Sequence, residues 1–257
     1  MLIDSHCHLD FPQFDGDRAE VLGRAYQAGI HGAIIPSVGP ENWARVIDTC
    51  RQHPRLWFAL GFHPCFASSD SVGQLNRLQS LLDANPRNLV AVGECGLDGV
   101  ASALPMDQQQ RLCLEQMALA NRFRLPVIFH IRKAHHHLFS LLDREPLKAG
   151  GVVHGFSGSL EVAREYLRRG LYLGVGGVIT YQRASKTRAA IQGVPLERLL
   201  LETDSPDMPP CGYQGLRNEP ARCLLVLQEL CHLLDLSSVA VVKKLSENHV
   251  RLFTRIS

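Results

Sequence analysis

Leu2-Ile3-Asp4-Ser5-His6-Cys7-His8 is a short apolar run that leads directly into two histidines. Four later apolar runs end in a similar way, on Glu94, His130, His154 and Asp204. Short apolar runs are typical of strands buried on both faces of a parallel sheet. Because the carboxyl ends of such strands meet at one edge, we predict that these side chains converge on a single site.

Strand-like and helix-like segments alternate along the rest of the chain. Beyond the first run, the predicted strands cover residues 32–35, 56–60, 90–94, 127–130, 152–154, 171–175 and 199–203. The predicted helices cover 17–29, 40–50, 72–84, a long segment after 105, 219–234 and 238–253. The first helix is expected to open on a capping box formed by Asp17 and Glu20.

Eight strand-then-helix units in 257 residues favour a (β/α)8 TIM barrel, with residues 1–257 as one domain. An open, doubly wound sheet also alternates strands and helices, but it usually carries a phosphate-binding loop after its first strand. This chain has His6-Cys7-His8 at that position. The sequence therefore favours the barrel.

Composition narrows the class of protein. The chain is 46% apolar and 20% charged, with a net charge of +2, which does not by itself indicate a nucleic-acid groove. No segment approaches the ~20 apolar residues that cross a bilayer, so we expect no membrane partner. The eight cysteines are scattered and form no Cys-x-x-Cys motif, which favours reduced thiols and a cytoplasmic location.

The residue types at the strand ends are those of a metal site. His6 and His8 lie two apart on an extended segment, so both rings project to the same side. Glu94 lies between Gly93 and Gly96 after a buried strand, where a metal would offset the cost of burying its carboxylate. The alternatives are a salt bridge from Glu94 to Arg132 and ordinary packing roles for the histidines.

The mixture of imidazole and carboxylate groups favours zinc, manganese, iron or cobalt over calcium. Six ligands with a shared carboxylate suit two cations roughly 3.5 to 4 Å apart. The pattern therefore predicts a two-metal hydrolase.

Several segments, taken together and in order, resemble the TatD family of metal-dependent hydrolases and deoxyribonucleases. They extend over nearly the whole chain and comprise residues 4–10, 61–64, 93–98, 130–132, 154–158, 202–206 and 217–220. The resemblance implies an amidohydrolase-like barrel with two divalent cations per subunit, such as zinc, manganese or magnesium. It also implies that Glu94 bridges them, with His6, His8 and Asp204 on one cation and His130 and His154 on the other.

The activity implied by the resemblance is hydrolysis of phosphodiester bonds, notably at DNA ends. We expect an activated water to attack phosphorus and Asp204 to accept its proton. His63, which neither cation needs, would contact the phosphate or protonate the leaving oxygen. Arg132 and Arg217 are candidate phosphate clamps, and solvated loop arginines are the alternative.

Two features qualify the expected substrate and site. Family members often carry aromatic residues after Gly-Leu-Asp, where Gly99-Val100 stands here, so a smaller phosphoester is an alternative to DNA. His135-His136-His137 suggests a third metal site, but neighbouring helical residues point in different directions, which favours a solvated helix face.

The sequence is also compatible with two other functions. One is a carbon–nitrogen hydrolase, such as an amidase or deaminase, on the same barrel. In such enzymes a modified lysine on the fourth strand often bridges two metals, whereas this chain has Glu94 there. The other is a non-catalytic metal-binding or nucleic-acid-binding scaffold. We expect no obligate protein partner, and a monomer in preference to an obligate oligomer.

Overall fold

Seven parallel strands form one sheet whose order in space is the same as their order in the chain. The structure is a computed structural model that describes residues 1–256. The strands are β1 (Ala33–Pro36), β2 (Leu56–Leu60), β3 (Leu89–Asp98), β4 (Val127–Arg132), β5 (Gly151–Val153), β6 (Leu171–Val175) and β7 (Leu199–Leu201). A sheet that adds each new strand next to the previous one, always in parallel, is typical of a β/α barrel.

The amino-terminal segment joins the two edges of this sheet. Asp4 pairs with Ala33 on β1, and Cys7 pairs with Ser205 beyond β7. Backbone bonds run to both sides, from the N–H of Cys7 to the carbonyl of Ile34 at 3.1 Å and from the N–H of His8 to the carbonyl of Ser205 at 2.7 Å. The predicted first strand is thus a pair of isolated bridges that closes the ring, and the predicted barrel is confirmed.

Helices cover the outside of the sheet and connect its strands. They are α1 (Arg18–Gln27), α2 (Pro40–Gln52), α3 (Leu75–Asp83), α4 (Met106–Phe123), α5 (His135–Arg144), α6 (Leu160–Arg168), α7 (Ser185–Gln192), α8 (Cys223–Leu234) and α9 (Ser238–Leu252). Within residues 1–256, no single helix is long and apolar enough to span a membrane. One pair of segments passes that test jointly, 220–234 with 238–252, but it is bent by 112°.

Helix α1 begins where predicted, but the predicted capping box does not form. The helix begins after Asp17 as expected, but the Asp17 side chain caps no backbone N–H. Instead, its two oxygens accept hydrogen bonds from Arg217 at 2.8 and 2.6 Å. The predicted capping box is therefore wrong, because a guanidinium from a distant loop takes the carboxylate.

Two apolar layers hold the barrel. The larger one packs the helices against the outer face of the sheet. The smaller one fills the interior with side chains that alternate along the strands, such as Ile34, Trp57, Ile128 and Leu200. Leu252 and Phe253, at the end of α9, belong to the same inner cluster. The interior is therefore a packed core, and the polar groups collect above it at the carboxyl ends of the strands.

Close contact between β3 and β4 depends on Gly96, which pairs with His130 in the sheet register. Gly96 has a φ of +143°, and a Cβ on it would lie 2.0 Å from the carbonyl oxygen of His130. Only glycine tolerates both conditions. This contact sets how close the backbone of β4 lies to β3 beside the polar cluster.

We predict that Gly96→Ala lowers the free energy of unfolding by about 3 kcal/mol or more, because the added methyl forces the two strands apart. The measurement is the midpoint of urea unfolding. Gly16→Ala is the matched control, since nothing lies within 4 Å of a Cβ at this exposed position; it should change stability by less than about 0.5 kcal/mol. Equal stability of the two variants would contradict the proposed contact.

Candidate metal centre

The six residues predicted as metal ligands all lie at the carboxyl-terminal mouth of the barrel. The amino-terminal segment, β3, β4, the residue after β5 and the loop after β7 supply them, in the order His6 and His8, Glu94, His130, His154 and Asp204. Potential ligand atoms of His6, His8 and Asp204 lie within 4.8 Å of one another, as do those of His6, Glu94 and His154. The structure thus brings together residues from both ends of the chain.

The carboxylate of Glu94 lies at the centre of this cluster and is only 1% exposed. Its Oε2 atom lies 3.2 Å from Nε2 of His6 and 3.6 Å from Nε2 of His8. Oδ1 of Asp204 lies 3.4 and 3.7 Å from the same two nitrogen atoms. One oxygen of Glu94 therefore shares a small space with two imidazoles and a second carboxylate.

The other oxygen of Glu94 faces a different set of imidazoles. Oε1 lies 2.8 Å from Nε2 of His154, 3.3 Å from Nδ1 of His130 and 3.3 Å from Nε2 of His63. Among the described residues Glu94 pairs with histidines and not with Arg132, so the salt bridge considered above is absent. With nitrogen donors facing each oxygen separately, Glu94 has the geometry of a bridging group.

The loop that carries Asp204 is tied to the amino-terminal segment. The N–H of Asp204 donates to the carbonyl of His6 at 2.9 Å. Asp204 has a φ of +59°, in the left-handed region that non-glycine residues rarely occupy and that is often found at functional sites. Together with the bridge between Cys7 and Ser205, this contact fixes Asp204 opposite the two histidines.

Asp98 orients His130, and the sequence interpretation gave it no role. Its Oδ2 atom accepts a hydrogen bond from Nε2 of His130 at 2.9 Å, while its Oδ1 atom accepts from the N–H groups of Val100 and Ala101, each at 2.7 Å. Burial opposes the charge on Asp98, but the hydrogen bonds that it accepts lower its pKa to about 2. With the ring proton on Nε2, the lone pair of His130 is on Nδ1, which faces Glu94.

His63 has the opposite arrangement of its ring nitrogens. Its Nδ1 atom accepts a hydrogen bond from the backbone N–H of Cys65 at 3.0 Å. In a neutral ring that bond assigns the proton to Nε2, the atom that faces Glu94. His63 is thus suited to donate a hydrogen bond from Nε2 and poorly suited to bind a cation through that atom.

Glu202 is a second acidic residue beneath the cluster that the sequence interpretation left without a role. It is 1% exposed, its Oε1 accepts the backbone N–H of Gly155, and the same oxygen lies 4.0 Å from Nδ1 of His154. A Cβ at Gly174 would lie 2.2 Å from Oε2 of Glu202, so glycine makes room for the carboxylate. An apolar run that ends in Glu-Thr-Asp is the only signal in the sequence for this placement.

Burial and nearby charges determine the protonation of the imidazoles. Burial, helped by the charge of His154, lowers the pKa of His6 to about 3, and burial lowers that of His8 to about 4 despite the proximity of Glu94. Both rings are therefore neutral near pH 7 and keep lone pairs for a cation. Burial also acts against a charge on His154, but the carboxylates of Glu94 and Asp204 outweigh it and raise its pKa to about 10. The same negative potential attracts a divalent cation, which competes with that proton.

Buried polar atoms without hydrogen-bond partners indicate that the cluster suits a metal. Within residues 1–256 these atoms include both ring nitrogens of His6, Nδ1 of His8 and Oε1 of Glu94. An unpaired buried polar atom is costly, and coordination to a cation removes that cost. Imidazole and carboxylate groups together suit zinc, manganese and related metals. The residues present therefore fit bound divalent cations.

The two predicted phosphate clamps differ in their contacts. Arg132, at the end of β4, is exposed, and its guanidinium makes no hydrogen bond or ion pair within the described chain. Both arms of Arg217 bind Asp17, and its guanidinium lies 4.6 Å from the ring of Phe14. These contacts suit a structural role for Arg217, and its role as a phosphate clamp stays a prediction.

The three consecutive histidines do not form a further cluster of potential ligands in residues 1–256. Nδ1 of His135 lies 2.7 Å from the hydroxyl of Tyr166, and Nδ1 of His137 lies 3.3 Å from the amide nitrogen of Gln110. The rings serve different neighbours, as expected for successive positions on a helix. A cluster that the sequence interpretation missed joins His63 and His130 with Cys65.

Comparison with known proteins identifies relatives over the whole chain. The family model described as "TatD related DNase" matches residues 3–254. The chain is 45% identical to an uncharacterized metal-dependent hydrolase, YjjV, of Escherichia coli strain K12, over 98% of this chain and 97% of that protein. It is 34% identical to a protein of Cronobacter sakazakii named 3'-5' ssDNA/RNA exonuclease TatD, over 89% of each chain.

Solved structures agree with these relationships. The crystal structure of the TatD homologue YjjV from Escherichia coli K12 matches with a TM-score of 0.94 at 45% identity, over 98% of both chains. An uncharacterized amidohydrolase from Saccharomyces cerevisiae matches with a TM-score of 0.83 at 18% identity, over 98% of this chain and 99% of the other. The second likeness concerns the fold alone, and it agrees with the predicted (β/α)8 barrel.

We predict that Asp98→Asn weakens binding of the cation nearest His130 by about 10- to 100-fold, because the amide no longer holds the ring proton on Nε2. Titration of the metal-free protein with zinc, followed by calorimetry, measures this affinity. Asp83→Asn is the matched control, since Asp83 is exposed at the end of α3. Unchanged zinc affinity in Asp98→Asn would contradict the orienting role.

Proposed function

The chain belongs to the TatD-related DNase family of metal-dependent hydrolases, and from that membership we propose that it is a phosphodiesterase acting on DNA ends or on a related phosphoester. The observation that carries the proposal is the position of Glu94, whose two oxygens face separate groups of imidazoles. A carboxylate shared in this way suits a pair of cations. The relative named as a 3'-5' ssDNA/RNA exonuclease supports a nucleic-acid substrate.

We assign one divalent cation to His6, His8, Glu94 and Asp204. A second is assigned to Glu94, His130 and His154. Zinc, manganese, magnesium or a similar ion would serve, with the imidazoles favouring the transition metals. When bound, such cations lower the pKa of water and neutralise negative charge on a phosphoester.

Two side chains at the mouth act on the attacking water and on the leaving oxygen. Asp204 accepts the proton of the attacking water, and its side chain is 21% exposed where that of Glu94 is 1% exposed, so water reaches it more easily. As the new phosphorus–oxygen bond forms and the old one breaks, His63 donates a hydrogen bond from its Nε2–H to the leaving oxygen, which takes its proton from water. The hydrogen bond from the Cys65 N–H to Nδ1 of His63 supports this orientation of the ring.

Arg132 is proposed to contact the phosphate. It is exposed and free of ion pairs within residues 1–256, and it lies two residues beyond His130 on the same strand, so both side chains project to the same face. All of the assigned side chains come from one chain. We therefore propose that residues 1–257 form one catalytic domain that needs no protein partner and works as a monomer.

We predict that Glu94→Gln reduces phosphodiesterase activity by about a thousandfold or more, because loss of the bridging charge removes cation neutralisation worth several kcal/mol. Metal content by mass spectrometry should fall from about two cations per chain to fewer than one, while the unfolding midpoint of the metal-free protein changes little. Glu41→Gln, an exposed change of the same kind on α2, is the control. Full turnover by Glu94→Gln would rule out the bridging role.

The substrate class is tested on the metal-loaded protein. Single-stranded DNA, duplex ends, nucleotides and simple phosphodiesters are compared with a panel of amides and lactones. We expect cleavage of phosphorus–oxygen bonds. With bound metals verified, turnover confined to amides or lactones would favour the carbon–nitrogen hydrolase instead.

We predict that His63→Ala lowers kcat on an oligonucleotide by about 10²- to 10³-fold, since a hydrogen-bond donor stabilises the charge that develops on an alkoxide leaving group. The loss should be much smaller on methyl 4-nitrophenyl phosphate, because nitrophenolate spreads its charge over the ring and needs less stabilisation. Comparing the two substrates in the same variant controls for general damage to the site. Equal losses on both would contradict the role of His63 as a hydrogen-bond donor to the leaving oxygen.

A further inference from the structure

Exposed apolar side chains are concentrated around the mouth that holds the polar cluster. Five of the ten large apolar residues that are at least 36% exposed lie on the loops that follow β2, β3 and β7. They are Phe66, Val100, Met208, Tyr213 and Leu216. Apolar surface beside a polar cleft is typical of a ligand-binding face. Phe66 has the highest exposed fraction of the five, at 63%.

A tight turn holds the backbone of Phe66. The N–H groups of Phe66 and Ala67 both donate to the carbonyl of His63 at 3.0 Å. Another bond, from Ser102 Oγ to the carbonyl of Pro64 at 2.8 Å, ties this turn to the loop after β3. The exposed ring is therefore carried on a restrained backbone, which limits the entropy lost when a ligand contacts it.

The ring of Phe66 lies next to His63, the imidazole that faces Glu94. Its centroid is 5.4 Å from that of the His63 ring, and the two planes are inclined by 75°, so the rings are not stacked face to face. Nε2 of His63 is in turn 3.3 Å from Oε1 of Glu94. A planar group lying on Phe66 would thus be separated from the centre by a single histidine.

The turn that carries Phe66 borders the loop after β3. The Sγ atom of Cys65 lies 3.4 Å from Oδ2 of Asp98, the last residue before that loop. Residues 99–105 of the loop include no aromatic side chain. Phe66 therefore supplies an exposed aromatic ring at this part of the mouth.

We propose that Phe66 is a specificity-determining residue, on which the base of the nucleotide next to the cleaved bond stacks. This rests on the proposed phosphodiesterase function. An aromatic face suits any unpaired base, because every base has a π-face. Arg132 supplies a positive charge for the phosphate on the same side of the centre as His130. Phe66 therefore selects for substrates whose terminal base is unpaired.

The first experiment removes the ring and, separately, the base. Phe66→Ala should lower kcat/KM on a short single-stranded oligothymidylate by about 5- to 150-fold, mainly through KM. The same oligonucleotides are also made with an abasic residue at one or the other terminal position. When the missing base is the one that stacks on Phe66, the kcat/KM values of wild type and variant should differ by less than about twofold. Tyr26→Ala is the matched control, because Tyr26 is 58% exposed on α1, away from the mouth.

A second experiment observes stacking without turnover. Phe66→Trp adds an exposed indole to a chain whose own tryptophans, Trp43 and Trp57, are at most 5% exposed. Saturable quenching of its fluorescence by a cleavage-resistant phosphorothioate oligothymidylate is expected, and none by the abasic form. Phe66→Trp should retain wild-type KM, while Phe66→Leu, apolar but not aromatic, should resemble Phe66→Ala.

The outcomes separate the two proposals. Cleavage of oligonucleotides by wild type, with Phe66→Ala equally active on all of them, would overturn the role of Phe66 and leave the phosphodiesterase proposal standing. No cleavage of any phosphodiester by the metal-loaded wild type would overturn both. Equal activity of Phe66→Leu and Phe66→Trp would replace stacking by simple apolar contact, and so would also contradict the inference.

Discussion

The structure depends on one buried carboxylate. Glu94 is almost fully removed from water, and transferring an unpaired ionised group to such a position is very costly. Here imidazoles lie on both sides of the carboxylate, His6 and His8 at one oxygen and His130 and His154 at the other, and divalent cations held between these rings and Glu94 would offset the cost. Nearby carboxylates in turn raise the pKa of His154. Glu94 and the surrounding imidazoles must therefore be held close together by a scaffold.

The barrel provides that scaffold through its closure. Parallel strands in chain order bring each carboxyl end to the same rim, but the ring has two edges until the amino-terminal segment bonds to both. Asp4 on this segment accepts hydrogen bonds from the backbone and hydroxyl of Thr203, at 3.0 and 2.5 Å. The segment that carries the first two histidines is therefore also the one that joins the edges of the sheet, so the site and the closure of the ring form together.

The sequence was sufficient for the barrel and for the six convergent residues, because both follow from apolar runs that end on distinctive side chains. The sequence was insufficient to predict the contacts of a side chain that had several partners available. Asp17 could cap α1, but Arg217 takes its carboxylate, and that one contact explains why the predicted capping box is absent. Asp98 and Glu202 were visible in the family motifs, yet their roles depend on which histidine nitrogen each one faces. That choice is made by packing across strands and has no local signature in the sequence.

The hydrogen bonds of the histidines also explain how one cluster of similar rings can do different work. Asp98 fixes the proton of His130 on the nitrogen that points away from Glu94, whereas the Cys65 N–H fixes the proton of His63 on the nitrogen that points towards it. Both rings lie 3.3 Å from the same carboxylate oxygen, so distance alone does not distinguish a ligand from a donor. The distinction lies in the atom behind each ring, an oxygen that accepts in one case and an N–H that donates in the other. The role of each of these histidines is therefore set by the group that contacts its far nitrogen, and not by its distance from Glu94.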